Sequence, residues 1–428
     1  MCAKTYELTT ETRHTHTGET LHRIRAITDI PARGVTCGDL GGFLGPNAQL
    51  RDNAWIYDDA CVYGHAKIFN NAVVRENAHV FGTACILSHA WIFNKARVSG
   101  DAKVRGHAWI FGKATVQDAA IVGETARVNG TAIISGTAQV GGDSRITNAA
   151  HICDNASIIA NARVSGTARI SGNAHIDGST HVFDNAQVFD NACINKNAQV
   201  HGSAHVYGSA QITGDAQVQN EATIYGNSWV AGQATIAESA RIHGNVRVFG
   251  IARVYGYAHL FDNAKVYGYA TIGGNVTIFD NAQVSNAKIR QNAKIFDNAH
   301  VSSNASITGN AQVYGNATVI AQAFVKENAH VFNNARITGK AQVYGDARVG
   351  GSAQVSGKAH VADLAYVGGN AQVSDGAYVG GTAHISDDED ISGPVQVMGN
   401  LAELVPAWFK PIPIRTTATQ PQPQASTS

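Results

Sequence analysis

Valine, isoleucine or leucine recurs every six residues along most of the chain, as at Ile56, Val62, Ile68, Val74, Val80, Ile86, Ile92 and Val98. Alanine keeps step two residues earlier, at Ala54, Ala60, Ala66, Ala72, Ala78, Ala84, Ala90 and Ala96. The unit reads aliphatic, variable, Gly/Asp, Asn, Ala, polar, and runs from Pro46 to about Asn400. An α-helix needs a period near 3.6, and glycine every six residues would weaken it repeatedly. Short β-branched strands separated by Gly/Asp-Asn turns fit instead. The aliphatic side chain is expected inside. The alanine should sit where the turn crowds the axis, and the asparagine before it should take a left-handed backbone conformation, which Asn tolerates.

The variable position after the aliphatic residue tells how many hexads close a coil. Steps of 18 from Phe189 reach Tyr207, Tyr225, His243, Phe261 and Phe279, whereas steps of 12 or 24 give no pattern. Like residues stacked at period 18 predict three hexads per coil, a triangular prism of about 20 coils. The frame slips once. Ser285 is followed directly by Asn286-Ala287-Lys288-Ile289, one residue short, and the ladder resumes after a step of 17 at Phe296, then Tyr314 and Phe332. A tightened turn should absorb the missing residue.

This pattern resembles the hexapeptide-repeat parallel β-helix family, whose unit is [LIV]-x-x-x-[STAV]-x. The resemblance implies an all-β, single-stranded, left-handed parallel β-helix. Near the N-terminus, Ile27-Thr28-Asp29-Ile30, Gly38-Asp39-Leu40-Gly41-Gly42-Phe43 and Asn53-Ala54-Trp55-Ile56-Tyr57-Asp58 look like the start of YdcK-like proteins. These are bacterial and phage-encoded β-helices commonly labelled transferases. That likeness implies a phage or prophage connection.

Outside the hexads the organisation changes. Residues 1–45 read as an N-terminal β cap, with short strands at Leu21–Ile27 and Gly41–Leu44 covering the open end of the coils. Residues 46–400 form the repeat. Residues 401–428 read as a cap segment, Leu401–Phe409, and a disordered Thr/Gln/Pro/Ser tail. Lys+Arg and Asp+Glu are both 32 and spread evenly, so no basic face suits nucleic acid. No stretch reads as a membrane span. The six cysteines, Cys2, Cys37, Cys61, Cys85, Cys153 and Cys193, show no metal spacing, and free thiols in the cytoplasm are expected. The acidic run Asp387-Asp388-Glu389-Asp390 reads as a solvated terminal turn, and no metal is expected.

Two constellations stand out on this regular ground. His89-Ala90-Trp91-Ile92 and His107-Ala108-Trp109-Ile110 are 18 apart and should stack on adjacent coils, with Trp55 on the same face two coils before Trp91. His89 and His107 are the candidate catalytic bases, since imidazole titrates near working pH. Trp91 and Trp109 are the candidate binding surface. Without chemistry, the histidines would fill the left-handed Asn slot and the tryptophans would form an outward ladder. The second constellation is the ladder Phe189, Tyr207, Tyr225, His243, Phe261, Phe279, Phe296, Tyr314 and Phe332. Its outward position predicts an apolar strip for a trimer contact, a protein partner or sugar rings. Two functions follow. One is a non-catalytic structural or interaction scaffold with no cofactor. The other, which the family resemblance implies, is an acyltransferase taking an acyl-CoA donor at a trimer boundary. That family usually carries an excursion loop and a C-terminal helix. This chain shows neither, and no loop interrupts its coils.

Overall fold

The computed structural model describes residues 4–399. The segments at 401–428 and Cys2, for which a cap, a tail and a free thiol are expected, lie outside the described residues. The fold is an all-β parallel solenoid of about 20 turns with three sheets, one per face of the coil. Its only helical element among the described residues is a 3-10 turn at Pro31–Arg33. By contact density the chain divides into an N-terminal unit ending at Asn227 and a C-terminal unit starting at Ser228.

In the N-terminal unit each hexad gives one two-residue strand. The three faces begin at Phe43–Leu44, Gln49–Leu50 and Trp55–Ile56. Their partners one coil later are Cys61–Val62, Lys67–Ile68 and Val73–Val74, a register of 18 in each case. From Ala54 on, the aliphatic residues and alanines of the repeat are buried, almost all of them completely, as at Ile86, Ala90, Ile92 and Ala96. The core is therefore a column one side chain deep, and alanine is required because its Cβ already reaches the wall. Two Ala slots of this unit hold Ser144 and Thr180, both fully buried. The hydroxyls of Ser144 and Thr180 have no hydrogen-bond partner.

The left-handed residue is the third of the hexad, not the asparagine that follows it. Positive φ falls on Gly100, Gly136, Asp118, Asp154 and Asp184, whereas Asn155 and Asn173 are normal. The correction has a physical basis. A non-glycine residue there costs roughly 1–2 kcal/mol, but an acid offsets this by reaching along the axis. Asp118 Oδ2 accepts from the Gly136 N–H at 2.9 Å, Asp154 from Gly172 at 3.0 Å and Asp184 from Gly202 at 3.1 Å. Each such bond satisfies the one backbone donor the turn leaves over. The asparagines instead build amide ladders. Asn155 Nδ2 donates to Asn173 Oδ1 at 3.0 Å, and Asn173 to Asn191 at 3.1 Å.

The non-hexadic start folds as an antiparallel sheet. Strand β1 (Tyr6–His14) pairs with β2 (Thr20–Ala26), and β2 with β3 (Leu40–Leu44). The polar run of β1 gives no strand signal; pairing with β2 makes it one. The other edge of β3 pairs in parallel with Cys61–Val62, so one strand belongs to both sheets. Two glycines permit this. A Cβ on Gly41 would lie 2.6 Å from Ile24 Cγ1, and one on Gly42 would lie 2.5 Å from the Ala60 carbonyl oxygen. Arg13 and Arg23 clamp the Phe43 ring at 4.1 and 4.5 Å, and both bond Asp59, at 3.0 and 3.2 Å.

In the C-terminal unit the same three faces run from Trp229–Val230 onward. The missing residue is absorbed as the spacing predicts. Thr271 pairs with Lys288, Thr277 with Lys294 and Gln283 with His300, all 17 apart, and the register of 18 returns at Lys288 and Ser306. A single left-handed residue, Asn286 with φ 47°, replaces the usual two-residue turn. Its Oδ1 accepts from the Tyr269 N–H at 2.9 Å. One coil later the strain passes on, with Ser303 and Asn304 both at positive φ.

Candidate functional site

The histidine and tryptophan pairs stack as their spacing predicts. The His89 and His107 rings lie 4.6 Å apart at 12°, Trp91 and Trp109 6.0 Å apart at 28°, and Phe93 and Phe111 4.9 Å apart at 0°. Two coils thus carry three adjacent ring pairs on one face. Arg127 closes the far side of Trp109 at 4.8 Å. His89 occupies the column of the amide ladder and not a left-handed position, since the left-handed residue is Ser88 with φ 59°. Asn53 donates to Asn71 Oδ1 at 3.2 Å, and Asn71 Nδ2 lies 3.2 Å from His89 Nε2. Both imidazoles are exposed on an edge.

Trp55 departs from the expected outward row. It is only 1% exposed. The 3-10 turn lies beside it: Arg33 donates from Nε to the Asn53 carbonyl at 3.2 Å and from Nη2 to the Asn71 carbonyl at 2.5 Å. Tyr57 Oη in turn donates to the Arg33 carbonyl at 2.8 Å. Between this turn and the coil face is a cavity of about 490 Å³ lined by Ala32, Arg33, Tyr57, Asp58, Val73, Arg75 and Trp91. Of the residues singled out by spacing, only Trp91 lines it. Arg33 carries no sequence signal, because the 3-10 turn is outside the periodic pattern, and Tyr57 and Arg75 occupy ordinary outward positions of the repeat. Burial pushes the Tyr57 phenol up, against the pull of Arg33 and Arg75.

The aromatic column forms in each unit. In the N-terminal unit Phe189, Tyr207 and Tyr225 stack at 4.7 and 4.9 Å. The C-terminal unit stacks His243, Phe261, Phe279, Phe296, Tyr314 and Phe332 at 5.5, 4.9, 4.9, 4.8 and 5.4 Å. The 4.9 Å step from Phe279 to Phe296 crosses the deletion. These distances match the strand spacing and suit offset stacking. The rings are half-buried rather than an exposed strip, because each face covers its neighbour and only the edges meet solvent. Among the described tyrosines, phenylalanines and tryptophans the most exposed are Tyr257 at 72% and Tyr269 at 71%, which spacing did not single out.

A second recurring contact joins the residue after one aliphatic to the residue before the aliphatic of the next coil, 16 positions on. His79 packs edge-on to Tyr63 at 6.2 Å, His330 to Tyr314 at 6.2 Å and His360 to Tyr344 at 6.1 Å. His243 and His259 meet through their Nε2 atoms at 2.8 Å. Burial holds His79, His151, His181, His243, His259 and His330 below the ordinary imidazole range.

The acidic run at 387–390 is built into the last turns. Asp388 Oδ1 ends an amide ladder by accepting from Asn370 at 3.0 Å, and Glu389 accepts from the Ser386 N–H at 3.0 Å. No group of three or more metal-ligating side chains occurs among the described residues. The described cysteines are free, with Cys61 buried and Cys37 exposed. No helix among the described residues is long and apolar enough to cross a membrane.

Residues 311–326 and 341–357 match the YdcK beta solenoid repeat. No curated protein sequence matches the chain. The matched repeats lie within coils of the same hexad and register as the rest, and the chain is a YdcK-like β-solenoid repeat protein.

Proposed function

We propose that the chain is a non-catalytic scaffold that self-associates as a trimer through the aromatic column of its C-terminal unit. The observation that carries this reading is the column's geometry. Six rings offer only their edges, at one strand spacing, on a flat and rigid face. Tyr257 stands 72% exposed on the turn that leads into the same face. Groups already held rigid lose little entropy on association, so a modest contact per ring suffices. Closed threefold symmetry would cover the edges of all six rings in every copy. Sedimentation velocity over a range of concentrations tests this. The native chain should sediment as a trimer, and the double substitution Phe279→Ser with Phe296→Ser as a monomer with unchanged circular dichroism. A native chain that stays monomeric at high concentration removes self-association and leaves a protein or carbohydrate partner for the same face.

The second reading is an acyltransferase using an acyl-CoA donor. It is favoured by the exposed His89–His107 stack beside Trp91 and Trp109, where an imidazole base would sit next to a flat apolar wall. It predicts a rise in melting temperature with acetyl-CoA. It also predicts that any acyl transfer is abolished by His89→Ala together with His107→Ala.

A further inference from the structure

Two outward columns carry a single sign of charge over three successive coils. On the third face of the N-terminal unit Arg127, Arg145 and Arg163 are register partners, and all three are exposed. The Arg127 guanidinium lies over Trp109 at 4.8 Å. None of the three forms an ion pair among the described residues, and Asp143, two residues before Arg145, is engaged by the Thr125 hydroxyl. In the C-terminal unit Asp262, Asp280 and Asp297 hold the left-handed turn position of three successive coils, with φ of 56°, 52° and 56°. They directly follow Phe261, Phe279 and Phe296, whose rings stack at 4.9 Å. Asp280 Oδ2 accepts from the Asp297 N–H at 3.2 Å and Asp297 Oδ2 from the Gly315 N–H at 2.9 Å. Asp262 is exposed and the other two are half-buried. No other column of the described coils has three acids, or three Lys/Arg, in succession. Like charges one strand spacing apart destabilise a sheet, so each column favours a counter-charge.

We propose that the arginine column of one copy docks on the aspartate column of a second copy. The match is one of sign, of number and of pitch. Both columns step by one coil, about 4.8 Å, so three guanidiniums meet three carboxylates rung for rung. An extended peptide repeats on one side about every 6.6 Å, and a nucleic-acid strand carries a charge about every 3.4 Å. Neither stays in register with the arginines, whereas another parallel solenoid does. Guanidinium and carboxylate are planar and matched in geometry. One exposed ion pair contributes little, but several held by rigid columns act as a network. Each copy carries one column of each kind on different surfaces. The contact is therefore heterologous and links copies into larger assemblies. It is ionic, whereas the contact through the ring edges is apolar, so the two stand or fall separately.

Sedimentation velocity of the full chain at about 50 mM and about 500 mM NaCl tests it. The average mass of the native chain should fall at least about two-fold at the higher salt, where exposed charges are screened. Arg145→Glu and Asp280→Lys should each give the high-salt size at both salts. Lysine is accommodated at this turn position, as Lys196 shows with φ 61°, and circular dichroism checks that both variants fold. The two reversals in one chain restore the complementarity and should restore the low-salt species. The variant Phe279→Ser with Phe296→Ser should keep its salt-sensitive association even where it no longer forms a trimer. The inference is overturned if the native chain has one size at both salts, if folded single reversals leave the low-salt species intact, or if the double reversal fails to restore it. It is also overturned if the native chain has one size at both salts and shifts only on addition of a single-stranded oligonucleotide or a polyuronate, which would assign the arginines to a foreign polyanion.

Discussion

The two units are built from one hexad and use it differently. In the C-terminal unit some outward columns are long and nearly uniform. Six rings stack in one of them. In another, amides run from Asn245 through Asn263, Asn281, Asn298 and Asn316 to Asn334. Each side chain finds its partner in a like side chain one coil away. In the N-terminal unit the columns change composition every few coils. Tyr63 stacks on Phe81 at 5.0 Å, but the next residue in that column is Ser99. Trp91 stacks on Trp109, but Val73 precedes it. The lesson is that a uniform column satisfies itself, whereas an interrupted one leaves faces and donors unmatched. The unpaired Arg75 Nε occurs at such an interruption.

The comparison can be broken or sharpened at several positions. The largest effect is expected inside, where the units do not differ. Ile278→Ala and Ile92→Ala each remove a fully buried side chain and should each destabilise the unit that carries it by about 2–5 kcal/mol in chemical denaturation. A marked difference between them would show that the cores are not equivalent. The outward columns come next. Phe279→Ala loses two ring partners and Phe81→Ala one, so the losses from stacking should be about 1–3 and about 0.5–1.5 kcal/mol. Equal losses would mean that stacking adds nothing beyond the burial of each ring.

Thr180→Val should stabilise the N-terminal unit by about 1 kcal/mol. It keeps the shape and removes a buried hydroxyl that has no partner. A fall in melting temperature would reveal a partner for that hydroxyl inside the coil. The gentlest effect is on pH dependence. The six half-buried histidines have folded values below their unfolded ones, so the folded state resists protonation. Their contribution is fully present above the unfolded value near 6.5 and is lost as the pH falls through the lower folded values. Melting temperature should therefore decline from pH 7 toward pH 5. His243→Phe should flatten part of that decline, because it removes one member of the His243–His259 contact and places a ring against Phe261. A profile unchanged by this substitution would assign the decline to other groups.

Most of the fold could be read from spacing. The step of 18 along the ring column is the register of the strands, and the step of 17 at Ser285 is the register of the three pairs around Asn286. Those pairings are translations along one axis, so like residues at a fixed separation reveal them. The role of asparagine was not legible in the same way. Asn tolerates the left-handed turn and also forms amide ladders, and spacing cannot tell these apart. The structure assigns the turn to the preceding Gly or Asp, where the acid meets a spare N–H. Exposure was not legible either. The ring column is half-buried by its own members, and Trp55 is buried beside a turn that the repeat does not contain.

By itself, the sequence determined the three-sided coil, its register, the inward Val/Ile and Ala columns, and which rings stack on which. Each of these is a contact between equivalent positions one period apart, so the period contains it. Only the tertiary structure decided where the cleft lies. Arg33 reaches Asn53 and Asn71 because β3 joins the antiparallel sheet to the first coil, with Gly41 and Gly42 allowing the close approach. That contact joins a segment with no period to one that has it, and no spacing within the repeat encodes it.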